Sequence, residues 1–157
     1  MVKNVLNTLR KKQKNNKGFS LVELIIVIAI MAVLVGVLAP QLIMYVEKSR
    51  EATDIQTCDN IATALKTYYA DEEVDESATD NTVTVTLTNK NEVGTSVTAV
   101  VEAGLKTAKL KGTKWSGDNG GTITIQYNKV TRTIKYTGSS PYYHADEEGR
   151  QFKTGKN

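Results

Sequence analysis

The chain has 157 residues, 40% of them hydrophobic and 24% charged, which suits one domain plus a membrane segment. Its formal charge of +3 hides a division: residues 1–18 carry Lys3, Arg10, Lys11, Lys12, Lys14 and Lys17 without an acid, leaving 14 basic and 17 acidic residues from Phe19 onward. A basic leader on a mildly acidic body argues against direct nucleic-acid binding.

The first predicted element follows that leader. From Leu21 to Ala39 every residue is apolar or small except Glu23. At about 1.5 Å rise per residue this run spans roughly 28 Å, close to the hydrocarbon thickness of a bilayer. An acid placed there costs about 2.5–3.5 kcal/mol on insertion scales, so its presence calls for a reason. A cleaved secretory signal fits poorly, because the run is too long and Leu38-Ala39-Pro40 makes a poor cleavage site. A single-pass anchor fits better. The basic leader then stays in the cytoplasm, and everything after Pro40 lies outside.

A third reading keeps that orientation. The segment Lys17-Gly18-Phe19-Ser20-Leu21-Val22-Glu23-Leu24-Ile25-Ile26-Val27-Ile28-Ala29-Ile30 resembles the class III signal of type IV pilins and pseudopilins. The resemblance is specific over residues 17–46, and the remainder matches the family in pattern alone. It implies a prepilin peptidase that cuts between Gly18 and Phe19 and methylates the new amino terminus on Phe19. It also makes Glu23 the fifth residue of the mature chain and puts Pro40 where many of these proteins bend their helix.

Physical chemistry supplies a reason for Glu23. Cleavage before Phe19 frees an α-amino group, largely cationic at neutral pH with a reference pKa of about 7.7–8.0. Stacked apolar helices bury that cation and the carboxylate, each costly alone and compensated together. A carboxylate near a helix N-terminus is also favourable in itself. The residues leave an internal and an intersubunit pair both open. The resemblance implies the intersubunit one, which sets the axial stagger of a filament. Gly18, lacking a Cβ, lets a peptidase fit the scissile bond closely, although glycine also serves as a plain linker.

The apolar pattern continues past the bilayer length. Ile55, Cys58, Ala62, Leu65 and Tyr69 recur at helical spacing, with Lys48, Arg50, Glu51, Asp54, Gln56, Asp59, Asn60 and Lys66 mostly on the other positions. One helix is expected from about Phe19 to Ala70, roughly 78 Å at 1.5 Å per residue, bent near Pro40 and loosened by Gly36. Cys58, the only cysteine, reads as a small buried apolar residue, with an intermolecular bridge as the sharper alternative. Six acids between Asp71 and Asp80 end the helix as a solvated loop. They lack the EF-hand spacing and glycine, and Asp146-Glu147-Glu148 is a weaker candidate, so neither metal nor cofactor is expected.

The rest reads mostly as strand. Residues 82–88, 122–127 and 130–136 alternate apolar and polar, the last two joined by a short hairpin connection at Asn128-Lys129. Residues 95–105 favour a short helix capped by Thr95 or Ser96 over a strand. Gly117-Asp118-Asn119-Gly120-Gly121 is a loop, and an irregular tail begins at Ser139. The expected fold class is α+β: a long helix, hydrophobic then amphipathic, packed on a small antiparallel sheet as in the pilin head. The expected layout is a cleaved leader over 1–18, a transmembrane or filament-core helix over 19–40, and an extracytoplasmic head over 41–157. That head divides into helix 41–70, acidic loop 71–80 and a β-rich remainder over 81–157.

No catalytic constellation is visible. His144 is the single histidine and falls in an expected loop, so histidine-based triads and multi-histidine metal sites are disfavoured. Six of the seven tyrosines, at 68, 69, 127, 136, 142 and 143, read mainly as core or core-edge residues. The resemblance implies a structural subunit rather than an enzyme: a prepilin in the cytoplasmic membrane that becomes part of an extracellular homo-oligomeric filament. Its partners are the prepilin peptidase, the pilus assembly machinery and, before assembly, the membrane. Such filaments serve adhesion, surface motility, aggregation or biofilm formation, or DNA uptake. A pseudopilin of type II secretion or of a competence system, and an uncleaved membrane-anchored binding domain, are the alternatives.

Overall fold

The computed structural model describes residues 18–116 and 121–155. In chain order these form helix α1 (Leu21–Tyr68), strand β1 (Thr82–Thr88), helix α2 (Thr98–Glu102), strands β2 (Thr122–Asn128) and β3 (Thr133–Thr137), and the short strands β4 (Tyr143–Ala145) and β5 (Phe152–Thr154). β1, β2 and β3 make a three-stranded antiparallel sheet in that order, and β4 and β5 make a two-stranded one. A long apolar helix with a small antiparallel sheet is the α+β class expected from the periodicities.

The chain divides into two compact units, Met1–Leu42 and Ile43–Asn157. In the first, every side chain from Leu21 to Leu38 is exposed. Its most apolar 18-residue window has a mean hydropathy of 3.1 with none of it buried, long and apolar enough to cross a membrane. α1 continues through Pro40 without a break in its assignment.

In the second unit, α1 lays Cys58, Ile61, Ala62 and Leu65 on Val85 and Leu87 of β1 and on Ile123, Ile125 and Tyr127 of β2. Alternation along the strands does this work: odd-numbered residues of β1 and β2 face the helix, and the even-numbered, mostly threonine, residues face away. Ile55 and Tyr69 of the expected stripe sit at the core's edge, and Ile61 joins it. Beyond Tyr68 the helix end is held from the β2–β3 turn. The Arg132 guanidinium donates to the carbonyls of Tyr69 (3.2 Å) and Ala70, satisfying oxygens that have no partner within the helix. Lys129 lies 4.4 Å over the Tyr69 ring and 3.0 Å from Glu72, a bond that raises the lysine's pKa.

Three local expectations are corrected. The β2–β3 connection is not a two-residue turn at Asn128-Lys129, because Asn128 pairs with Thr133 across the ladder. The Asn128 side chain accepts the N–H groups of Val130 (3.0 Å) and Thr131 (2.9 Å), and Arg132 takes a left-handed φ of 55°, which together close a longer loop. α2 is not capped by Thr95 or Ser96: Val97 occupies the N-cap without a side-chain bond, and Ser96 donates to the Val93 carbonyl instead. The tail after Ser139 contains β4 and β5, and His144 lies in β4 rather than in a loop. Most of the expected glycine-rich loop, residues 117–120, lies outside the described residues.

Candidate functional site

Gly18, Phe19 and Ser20 precede α1, whose first backbone bond runs from the Leu24 N–H to the Ser20 carbonyl (3.1 Å). A Cβ on Gly18 would meet nothing within 4 Å. The packing of the described residues therefore makes no demand for glycine there. Phe19 is 83% exposed. Glu23 stands exposed in the first turn of α1, where the helix dipole favours a negative charge. Among the described residues it forms no ion pair, and no bond joins it to Phe19. Pro40 lies on the same exposed apolar surface, between Ala39 and Gln41.

A second group of acids on α1 went unrecognised in the spacing. Glu51 and Asp54, assigned above to the polar face, are 0% and 1% exposed, and Glu47 is 7% exposed. Each is met by donors from the chain between α2 and β2 or from the turn before β4. Asp54 accepts the backbone N–H of Lys111 (2.7 Å) and of Gly112 (2.8 Å), and the indole N–H of Trp115 (2.9 Å). Glu47 accepts both the N–H and the hydroxyl of Thr113, with Arg50 at 3.6 Å. Glu51 accepts the Ser140 hydroxyl, whose oxygen in turn accepts the N–H groups of Tyr142 and Tyr143. Gly112 is required by this approach: a Cβ there would stand 2.7 Å from Glu51 Cγ and 2.9 Å from both Asp54 Oδ2 and Trp115 Nε1.

The three carboxyls differ in electrostatics. Burial pushes Glu47 up, but the Thr113 backbone and hydroxyl, with Arg50, bring it below the ordinary carboxylate range. Glu51 is pushed above that range, first by burial and then by the charges of Glu47 and Asp54, against which the Ser140 hydroxyl acts only in part. Its Oε1 is buried without a partner. Glu51 is thus the member of the row held toward its protonated form. Nearby, Tyr136 donates its hydroxyl to Asp59 (2.9 Å), and burial, then that bond, raises the phenol's pKa.

This row fastens two loops to the helix. Apart from Glu51 Oε1, its buried oxygens point at backbone and side-chain donors inside the fold, a structural arrangement rather than an acid–base site open to substrate. The remaining candidates are similarly occupied. His144 Nδ1 lies 3.1 Å from the Gly155 carbonyl. Cys58 is buried and its thiol pKa is pushed up by burial, which keeps it protonated and unreactive. In the acidic loop, Asp75 accepts the N–H (2.9 Å) and hydroxyl (2.6 Å) of Ser77. Among the described residues no three His, Cys, Asp or Glu side chains are placed to hold a metal ion.

Comparison with known proteins adds one finding. Residues 13–39 match the family model for the prokaryotic N-terminal methylation motif, so the match covers the basic leader's end and the exposed apolar half of α1. No curated protein and no solved structure matches the chain significantly.

Proposed function

We propose, from the class III signal peptide of type IV pilin-like proteins that this chain carries over residues 13–39, that it is the structural subunit of a type IV pilus. The motif itself marks a pilin-like or pseudopilin protein, a prepilin peptidase substrate with a membrane-anchoring helix, in a family that is structural rather than enzymatic. Our reading goes further. The chain enters the cytoplasmic membrane with its leader inside, is cut between Gly18 and Phe19, and is methylated on Phe19. It then joins an extracellular homo-oligomeric filament that supports adhesion, motility, aggregation or DNA uptake.

The observation that carries this reading is the conjunction of the motif with an apolar helical surface that the described residues leave uncovered. Such a surface needs lipid before assembly and other copies after it. Glu23 supports the assembly step, because it needs a cation once lipid and water are both excluded. The Phe19 amine of a neighbouring subunit is the cation that processing creates. Pro40, which removes one backbone donor within α1, is the proposed place for the helix to bend in that packing.

Two measurements test the reading. The intact mass of the membrane form should correspond to a chain beginning at N-methylated Phe19, and a retained leader would establish an uncleaved anchor instead. Electron microscopy of sheared surface material should then show long filaments. Short, membrane-confined assemblies would move the protein to the pseudopilins of secretion or competence systems.

A further inference from the structure

The sheet has one open edge, and its chemistry suits a second copy of itself. The hydrogen bonds establish which edge this is. The Lys129 N–H bonds the Asn81 carbonyl (2.8 Å), extending the β1–β2 ladder by one odd-numbered position of β1. The Leu110 N–H bonds the Thr88 carbonyl (2.9 Å) from the other side. Since N–H and C=O of one strand residue point the same way and alternate along the strand, the even-numbered residues of β1 aim away from β2. Among the described residues the backbone groups of Thr82, Thr84 and Thr86 have no partner, and their side chains are exposed. The opposite edge is covered at Tyr136 and Gly138: the outward Tyr136 N–H of β3 bonds the Gly149 carbonyl (2.6 Å), and the Ala145 N–H bonds that of Gly138 (3.0 Å).

β1 also lacks the usual protections of an edge strand. Its sequence, Thr-Val-Thr-Val-Thr-Leu-Thr, contains no charge, proline or glycine. We propose that β1 is a pairing surface on which two copies of this chain join antiparallel, Thr84 opposite Thr84, with Thr82 of each copy opposite Thr86 of the other. The three outward residues then exchange about six backbone hydrogen bonds.

Charge selects this partner and this direction. The chain before β1 holds Asp71, Glu72, Glu73, Asp75, Glu76 and Asp80, all exposed. The other end of β1 is basic. Lys90 follows it, and residues 106–111, tied to it through Gly94, Val93 and Thr88, bring exposed Lys106, Lys109 and Lys111 against the single acid Glu92. Antiparallel pairing sets the acidic end of each copy on the basic end of the other, whereas parallel pairing sets acid on acid. The contact is two-fold symmetric, and a two-fold does not relate neighbours along a polar filament. In the filament reading, beyond which this inference goes, the contact therefore links subunits of separate filaments side by side.

The test uses the full chain solubilised in detergent, so it does not require that filaments form. With Cys58 buried, Thr84→Cys supplies the accessible thiol. The expected result on mild oxidation is a disulfide dimer several-fold more abundant than from Lys135→Cys, an exposed control on the opposite outer strand, β3. Adding Thr86→Glu, which sets a like charge against the acidic end of the other copy, or raising salt from about 0.05 to about 0.5 M, should reduce the dimer several-fold. Equal yields at positions 84 and 135, no dimer at 84, or capture of a different protein by Thr84→Cys in cells would each overturn the pairing. On cells, Thr84→Lys should leave filament yield unchanged and abolish lateral bundling. Absence of filaments from the parent would sink the pilus reading while leaving the disulfide result to decide the pairing.

Discussion

Removing the Asp54 carboxylate should destabilise the unit from Ile43 onward by several kcal/mol. Its oxygens accept three donors, and two of them, the Gly112 N–H and the Trp115 indole N–H, form bonds that are fully buried. Asp54→Ala leaves those two unsatisfied, at about 1–3 kcal/mol each, and opens a small cavity worth about 1 kcal/mol more. A loss of about 3–7 kcal/mol is a large share of the about 5–15 kcal/mol that holds a typical domain. At about 4 °C per kcal/mol for a unit of this size, the melting temperature should fall by about 12–28 °C. Trp115 is the only tryptophan and is itself one of the donors, so its fluorescence reports the latch directly during a thermal melt of the full chain in detergent. Asp54→Asn should fall in between, since it keeps one acceptor but turns an N–H₂ toward other donors. An Asp54→Ala protein melting within about 3 °C of the parent, with the Trp115 emission transition unchanged, would refute the assignment of this carboxylate as the loop's anchor.

Glu51 gives a prediction in pH. Its folded pKa is raised by burial and by its acidic neighbours, so the folded state binds this proton more tightly than the unfolded one. Its contribution is complete below the ordinary carboxylate pKa and is lost as pH rises through the raised value. Glu51→Gln should therefore flatten the decline of melting temperature as pH rises above the ordinary carboxylate range, and an unchanged slope would remove Glu51 as its source. Glu47, whose pKa is lowered, works in the opposite sense, so Glu47→Gln should reduce the stability lost as pH falls below the ordinary carboxylate range. Gly112→Ala should cost about 1–3 kcal/mol by overpacking, read in the same melt, because its Cβ meets Glu51 and Asp54. Glu23→Ala should leave cleavage after Gly18 intact by mass while filaments disappear from sheared material. Normal filament yield from that variant would reject the proposed pairing with the Phe19 amine.

What the sequence conveyed and what it withheld divide along contact distance. The membrane-length run, the stripe through Cys58, Ala62 and Leu65, and the alternation of β1 and β2 are local patterns, each repeated several times, and the structure contains all of them. The buried acids carry the same helical spacing, since Glu47, Glu51, Asp54 and Cys58 continue the stripe toward the N-terminus. They looked like the polar face because the donors that make them tolerable lie far along the chain: Asp54 and Gly112 are separated by 58 positions, Glu51 and Ser140 by 89. A carboxylate on a stripe position is a signal for such a partner, but composition alone does not say which loop supplies it. β4 and β5 were missed for another reason, being three residues each and too short for alternation to register.

The same logic bears on Glu23. α1 places four acids on or beside apolar surface, at positions 23, 47, 51 and 54. The three in the head are buried, and each has bonds from a loop of its own chain. Glu23 differs in both respects, exposed and without an ion pair among the described residues, on a helical surface whose apolar neighbours are equally uncovered. Whatever covers Leu21, Val22 and Leu24 must also meet the carboxylate between them, because burying it unpaired costs several kcal/mol. Lipid covers the apolar side chains but offers no fixed cation at that depth. Under the proposed processing, a second subunit cut after Gly18 would bring both an apolar surface and an amine, which would make processing and packing one requirement. The inference can be reversed experimentally: Glu23→Gln keeps the shape and removes the charge, and assembly should then lose its dependence on a free, protonated Phe19 amine along with its efficiency.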